Sequence, residues 1–159
     1  MMIWVLMGAG FASAVVAGVF FSFSDFVMRG LAIAPNATGG FGMVGLNKTV
    51  NRSGFMLALL ILVPTATLLG IWSILQLEGL PKALTLTGSL VYFAGVIAVT
   101  GLGNVPLNDR LAAIAAAPGD LVEYWPTYVR RWTRLNHVRT VACSITAATW
   151  LAASQLHGV

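Results

Sequence analysis

The chain has 159 residues, of which 58% are hydrophobic and only 9% are charged, and its mean hydropathy is +0.86. A soluble domain carries roughly 25% charged residues, so a monomer this apolar could not hide its surface from water. The formal net charge of +4 comes from cations that form no solvated patch beside a DNA-reading element, which argues against nucleic acid as a partner.

Four long runs without a charged side chain predict four membrane-spanning helices, because about 20 apolar residues cross a bilayer. We predict spans over residues 3–27, 54–76, 83–102 and 136–156. The connections are too short for a separate soluble domain, so residues 1–159 are predicted to form a single transmembrane domain. The predicted fold class is all-α, an integral membrane bundle of four helices.

The first loop carries polar residues at helical spacing. Asp25 and Arg29 are four residues apart at the inner end of the first span, and can form an interfacial ion pair or belong to a polar site. Beyond a helix-breaking stretch, residues 41–52 predict a short interfacial or re-entrant helix. Asn47 and Asn51 lie on one face of it.

The third loop is predicted to hold a second short helix, over residues 107–117. Asn104 can cap the N-terminus of this helix, and Pro106 suits its first turn. Asn108 follows within the same turn. A further helix is then predicted to begin near residue 120 and to continue without a break into the fourth span.

A polar and aromatic stripe runs along this last helix. Its members are separated by 7, 4, 3 and 4 residues, so all of them project from one side of a helix. They are Trp125, Trp132, Asn136, Arg139 and Cys143. The tryptophans can also be explained as an interfacial aromatic belt.

The cations of the loops predict the orientation of the chain in its membrane. Only Lys82 lies between the second and third spans. Those of the first and third loops are Arg29, Lys48, Arg52, Arg110, Arg130, Arg131 and Arg134. Because Lys and Arg favour the cytoplasmic side, we predict a bacterial-type inner (plasma) membrane protein with both termini outside.

Most strong polar residues near membrane depth therefore lie at the cytoplasmic ends of the predicted spans. Asparagine cannot extend to the interface as Lys and Arg do, so a set of asparagines indicates an organised interior. They could cap helices, bond one helix to the next, or hold the oxygen atoms of a ligand. The set is Asn47, Asn51, Asn104, Asn108 and Asn136.

Several motifs together resemble the small four-span membrane proteins of the anthrone oxygenase or DUF1772 family. The resemblance rests on the order and spacing of Asn104-x-Pro106-x-Asn108, Trp125, Trp132, Asn136-His137-x-Arg139-Thr140 and Gly45-Leu46-Asn47-x-x-x-Asn51. It covers nearly the whole chain and implies a four-span fold. For fungal members it implies oxidation of anthrones to anthraquinones, without a metal or flavin.

Such a reaction needs a base, donors for a developing oxyanion and a dry aromatic pocket. The resemblance makes His137 the candidate base, while Arg139 or Arg29 could stabilise the anthrolate oxygen. The remaining candidates for substrate binding are Asn47, Asn51, Asn104, Asn108, Trp125, Trp132, Asn136 and Asp25. The expected partners are membrane lipid and a lipophilic small-molecule substrate, and a homo-oligomer is left open.

The sequence predicts neither a metal site nor another cofactor. Two histidines and one cysteine cannot form a typical zinc cluster, although a haem held by His137 alone is left open. A second hypothesis also stays open, in which the chain is no enzyme. It would then be a small-solute carrier or a subunit that stabilises a partner.

Overall fold

The computed structural model describes residues 2–117 and 120–156, which are helical almost throughout, with no strand in these two ranges. The predicted all-α class is confirmed. The helices are α1 (Met2–Ser22), α2 (Met28–Ala32), α3 (Thr38–Val50), α4 (Gly54–Gln76), α5 (Gly79–Val91), α6 (Val105–Ala115) and α7 (Leu121–Leu156). The chain is π-helical over Phe23–Val27, Tyr92–Ala98 and Thr100–Asn104, and a 3₁₀ turn covers Pro35–Ala37.

Three helical stretches are long and apolar enough to cross a membrane, namely Met2–Ala32, Gly54–Gln76 and Gly79–Ala115. They expose large apolar side chains, such as Phe11 and Leu68, that water would solvate poorly. The chain is therefore a membrane protein. The fourth predicted span, residues 136–156, is part of α7, which is less apolar than these three stretches.

Helical structure continues past two of the predicted span ends, near residues 27 and 102, and reaches Ala32 and Ala115. The break predicted between the third span and the helix over residues 107–117 is absent. Asn104 makes no capping hydrogen bond, because its side chain lies inside the continuous helix and faces α7. A π-helical turn ends at this residue, so the chain reaches Pro106 without the predicted break.

Helices α1, α4, α5 and α7 pack side by side, with α7 in contact with both α1 and α5. Small residues let the backbones approach: a Cβ added to Gly95 would lie 2.5 Å from the Cβ of Ala142. Hydrogen bonds also join α7 to its neighbours. Ser13 donates to the carbonyl of Cys143 at 3.0 Å, and Thr146 donates to that of Gly88 at 3.1 Å.

The predicted loop helices are present as α3 and α6, and they are not isolated on the surface. Helix α3 packs on α6, and α6 packs on the first half of α7. Their contact forms a second apolar core, distinct from the one between the long helices. This second core contains Met28, Met43, Leu111, Leu121, Trp125, Tyr128 and Trp132.

Candidate functional site

A buried arginine lies where the two cores meet. Only 6% of Arg139 is exposed, although it is charged. Its Nη2 donates to Asn136 Oδ1 at 2.7 Å, and its Nη1 is 3.5 Å from Thr100 Oγ1. The guanidinium carbon is 4.4 Å from the ring centre of Phe20 and 5.2 Å from that of Trp132. Aromatic faces and neutral polar groups therefore surround the cation.

No buried carboxylate within residues 2–117 and 120–156 compensates this charge. All five acidic side chains of the sequence are exposed: Asp25, Glu78, Asp109, Asp120 and Glu123. A buried charge without an ionic partner costs free energy, which neutral hydrogen bonds and ring faces offset only in part. The guanidinium therefore attracts any anion that can reach it, and low local polarity strengthens that attraction.

Asn136 sets the orientation of the guanidinium. Its Nδ2 donates to the carbonyl of Phe20 and to Ser24 Oγ, both at 2.6 Å. Because both amide hydrogens are used on this side, Oδ1 must point the other way, toward Arg139. The Asn136 side chain is fully buried, and it ties the end of α1 to α7.

Two π-helical turns supply polar groups to this site. The turn Phe23–Val27 contributes Ser24, and the turn Thr100–Asn104 contributes its first and last residues, Thr100 and Asn104. Asn104 Nδ2 donates to the carbonyl of Trp132 at 3.3 Å. A π-helical turn interrupts regular α-helical bonding and occurs often at functional sites. Here the turns place Ser24, Thr100 and Asn104 next to α7.

Tyr128 belongs to the same face of α7 and was not predicted. Its hydroxyl donates to Asn108 Oδ1 at 2.8 Å, and its ring stacks on Trp125 with centres 5.5 Å apart. Burial raises the pKa of the Tyr128 phenol, and the nearby side-chain amide of Asn47 lowers it. Asn47 Nδ2 is close to the phenol but does not form a hydrogen bond with it. The signal was present: Tyr128 is three residues after Trp125 and four before Trp132.

Several buried polar atoms around Arg139 and Tyr128 have no hydrogen-bond partner among the described residues. Four of them are N–H donors, on Asn47 Nδ2, Trp125 Nε1, Trp132 Nε1 and Arg139 Nε. One is a pure acceptor, Asn104 Oδ1. Buried donors and acceptors are normally paired, so such a group indicates a place for a missing partner.

The structure brings together seven of the residues predicted for the site. The stripe on α7, whose spacing predicted a single side of the helix, is buried along its length, including Cys143. The residues that share one region are Asn47, Asn104, Asn108, Trp125, Trp132, Asn136 and Arg139. We refer to this set, with Tyr128, as the Arg139 cluster.

Three predicted residues lie outside the Arg139 cluster. Asp25 and Arg29 are exposed on the chain that follows α1, so neither faces the buried guanidinium. Asn51 is also exposed, and its amide donates to the carbonyl of Asn47 at 3.3 Å, a local bond within one helical turn. A role in substrate binding has no support from the contacts of these side chains.

His137 is also separate from the Arg139 cluster. It is exposed on another face of α7, where it lines a shallow groove of about 380 Å³ with Val91, Val138, Val141, Ala142 and Ile145. Consecutive residues of a helix point about 100° apart, so His137 cannot share the face of Asn136 and Arg139. The role of general base that the sequence predicted for His137 is therefore without geometric support.

Within residues 2–117 and 120–156, no three His, Cys, Asp or Glu side chains are grouped closely enough to hold a metal ion. Cys143 is buried among the long helices. The chemistry available in the Arg139 cluster comes from one cation, several N–H donors and aromatic faces.

Comparison with protein families found a match over most of the chain. The model of the family described as anthrone oxygenase matches residues 48–149, well over half of the chain, and confirms the resemblance read from the sequence. The matched region contains Asn104, Asn136 and Arg139 and leaves out α1. Comparison with curated proteins and with solved structures found no significant match.

Proposed function

The chain belongs to the anthrone oxygenase family, and on this premise we propose that it oxidises a lipophilic, anthrone-like polycyclic aromatic with O2 and no cofactor. The reaction converts a ring methylene into a carbonyl. One oxygen atom of O2 enters the product, and the other leaves as water with the two methylene hydrogens. The electrons that the methylene loses reduce O2, so the equation is balanced without a further reductant.

The uncompensated buried charge of Arg139 is the observation that carries this proposal. An anthrone is acidic because loss of a methylene proton gives an aromatic anthrolate, whose negative charge rests largely on oxygen. A guanidinium already oriented by Asn136 stabilises that oxyanion in surroundings of low polarity. The electron-rich anthrolate can then react with O2 directly.

This arrangement needs no dedicated base beside the substrate. Binding next to an unpaired cation lowers the pKa of an acidic ligand, because the charged form gains the attraction. The substrate proton can then pass to water at the membrane boundary. In this mechanism Arg139, oriented by Asn136, stabilises the oxyanion. Trp125 and Trp132 provide ring surfaces for the substrate, and His137 takes no part in the reaction.

The proposal places the protein in a bacterial-type inner membrane, with α7 as a fourth crossing and both termini outside. Apolar side chains on the outer surface of α7 support the crossing, since Val138, Val141 and Ile145 are all more than 40% exposed. The excess of cations in the first and third loops supports the orientation. Lipid and the lipophilic substrate are the partners, and homo-oligomer formation stays a prediction.

Arg139→Met tests the proposal, because methionine keeps much of the side-chain volume and removes the charge. We expect the turnover of anthrone to quinone to fall 100-fold or more, since an oxyanion donor acts mainly in the transition state. Oxygen consumption and quinone absorbance in detergent would be measured against empty micelles. Circular dichroism and gel filtration would confirm that the variant is folded.

Arg134→Met is the matched control, because Arg134 is an exposed arginine of the same helix. We expect it to keep the turnover of the wild-type protein. Wild-type turnover from Arg139→Met would contradict the role of the guanidinium. Failure of the wild-type protein to exceed the micelle background would instead favour the non-catalytic hypothesis.

A further inference from the structure

We propose that a groove between α1 and α4 binds one acyl chain of an anionic phospholipid, whose phosphate is held by Lys48 and Arg52. The groove has a volume of about 450 Å³. None of the residues that line it belongs to the Arg139 cluster, so the lipid site is independent of the proposed reaction. Its lining includes Gly8, Ala9, Ala12, Gly54, Ala58 and Thr65.

Glycines keep this groove free of side chains. A Cβ added to Gly8 or to Gly54 would meet no other heavy atom of the chain within 4 Å, although both residues line the groove. Small residues normally let helices approach closely in lipid, but here they leave space between α1 and α4. Apolar walls without partner atoms lose dispersion attraction, so a molecule of the bilayer gains by filling the space.

The walls of the groove select an apolar occupant. Thr65 is the only polar side chain among the lining residues, and its hydroxyl donates to the carbonyl of Ile61 at 2.9 Å, within its own helix. The lining therefore offers no free side-chain donor or acceptor. A polar ligand would lose its hydrogen bonds to water there, whereas a hydrocarbon chain has none to lose.

The dimensions fit one chain from one leaflet. Gly54 and Thr65 are eleven residues apart, about 16 Å along α4, which is half the thickness of a hydrocarbon core of about 30 Å. A methylene is close in size to a water molecule, which takes about 30 Å³, so the groove holds roughly 15 methylenes. A helix with its side chains is about 10–12 Å wide, too wide to lie within this space.

The groove begins next to positive charge. Arg52 precedes Gly54 by two residues, Lys48 lies four residues before Arg52, and both cations are exposed. No acidic residue occurs between Asp25 and Glu78, so the segment that leads into α4 is purely basic. Such cations beside a membrane-spanning helix attract anionic headgroups. The charge therefore favours a lipid such as phosphatidylglycerol over a zwitterionic one.

Native mass spectrometry of the full chain in mild detergent tests the proposal. The two probes are palmitoyl-oleoyl phosphatidylglycerol and palmitoyl-oleoyl phosphatidylcholine, which share their chains and differ in headgroup charge. We expect one phosphatidylglycerol to bind each chain with a dissociation constant about tenfold lower, or more, than that of phosphatidylcholine. Equal affinity for the two lipids would overturn the proposal.

A charge variant connects the preference to the two cations. Lys48→Gln combined with Arg52→Gln should remove the preference for phosphatidylglycerol and leave the affinity for phosphatidylcholine unchanged. Arg130→Gln combined with Arg131→Gln is the control, because it removes two exposed arginines of α7 and gives the same net charge. Equal loss of the preference in both double variants would reflect overall charge alone and would overturn the proposal.

Two further variants fill the groove itself. Gly8→Leu and Gly54→Leu each place a side chain where the acyl chain would lie, and we expect each to weaken the binding of both lipids about tenfold. Gly18→Leu is the control, since Gly18 is exposed on α1, has the same open space around it and does not line the groove. Thermal melting would verify folding, and unchanged affinity in the folded groove variants would overturn the proposal.

A second copy of the chain is the competing occupant. Lipid-free dimers that are lost in Gly8→Leu and kept in Gly18→Leu would assign the groove to a protein interface and overturn the proposal. The charge variants leave the walls of the groove intact, so they decide the matter even where a leucine variant does not fold.

Discussion

Asn136 holds two helices and the guanidinium with one amide group. Both of its amide hydrogens are donated to the chain around Phe20 and Ser24, and its oxygen accepts from Arg139. A carboxylate at this position could not donate to the Phe20 carbonyl, and it would neutralise the guanidinium. An asparagine therefore places the cation without neutralising it, which leaves the charge available to a ligand.

We expect Asn136→Ala to lower the free energy of unfolding by about 3 kcal/mol, because it leaves several buried polar groups without a partner. Denaturant unfolding in detergent, followed by circular dichroism, would measure the change. Asn51→Ala removes the same side chain from an exposed position and should stay within about 0.5 kcal/mol of the wild-type protein. Equal losses from both variants would mean that the buried bonds contribute little.

His137→Ala should keep the turnover of the wild-type protein and the pH dependence of its rate. The physical reason is position: His137 is exposed beside Val138 and Val141, on a different face from Arg139. Rates measured from pH 5 to pH 9 with anthrone would check this. A large loss of activity, with the protein still folded, would restore the histidine as the base and contradict the mechanism proposed above.

Part of the candidate site could be read from the sequence because helical spacing determines which residues share a face. Trp125, Trp132, Asn136 and Arg139 were identified in this way, and all are buried. The same spacing gives no information about neighbouring helices. The sequence alone could not show that Asn51 bonds to its own helix, or that Tyr128 would meet Asn108.

The elements themselves were predicted more reliably than their ends. The long apolar runs correspond to α1, α4 and α5, and short helices occur in both loops. The break expected at Asn104 was wrong. Pro106 has no N–H to donate, which would interrupt a regular α-helix. Backbone bonding is already irregular just after the π-helical turn, so the helix accommodates Pro106 there and continues. Local composition cannot distinguish this continuation from a new helix.

Contact between the π-helical stretch Tyr92–Ala98 and α7 depends on the small residue at Gly95. We expect Gly95→Ala to lower stability by about 1–3 kcal/mol, because the added methyl would meet Ala142. Gly18→Ala on α1 is the control, since no heavy atom lies within 4 Å of the added carbon. Thermal melting in one detergent would compare the two. A neutral Gly95→Ala would show that the helices separate at little cost.

At the scale of the whole molecule, cysteine labelling tests the proposed crossing of the membrane by α7. With Cys143→Ala as background, Gln155→Cys should react with a membrane-impermeant reagent from outside the cell, and Ala113→Cys only after the membrane is opened. Both positions are exposed in the structure. Labelling of both from the same side would contradict either the fourth crossing or the orientation.

The length of α7 has a consequence for the supply of reactants. Its 36 residues extend about 54 Å, while the hydrocarbon core of a bilayer is about 30 Å thick. If the helix crosses with its C-terminal part, roughly its first 16 residues lie beyond the hydrocarbon, and Arg139 lies close to the boundary. If the proposed reaction occurs there, dioxygen and a lipophilic substrate would arrive from the lipid side, while protons and the newly formed water would leave on the aqueous side. Such a catalyst would work across two solvents, and its rate would respond to the lipid as much as to the buffer.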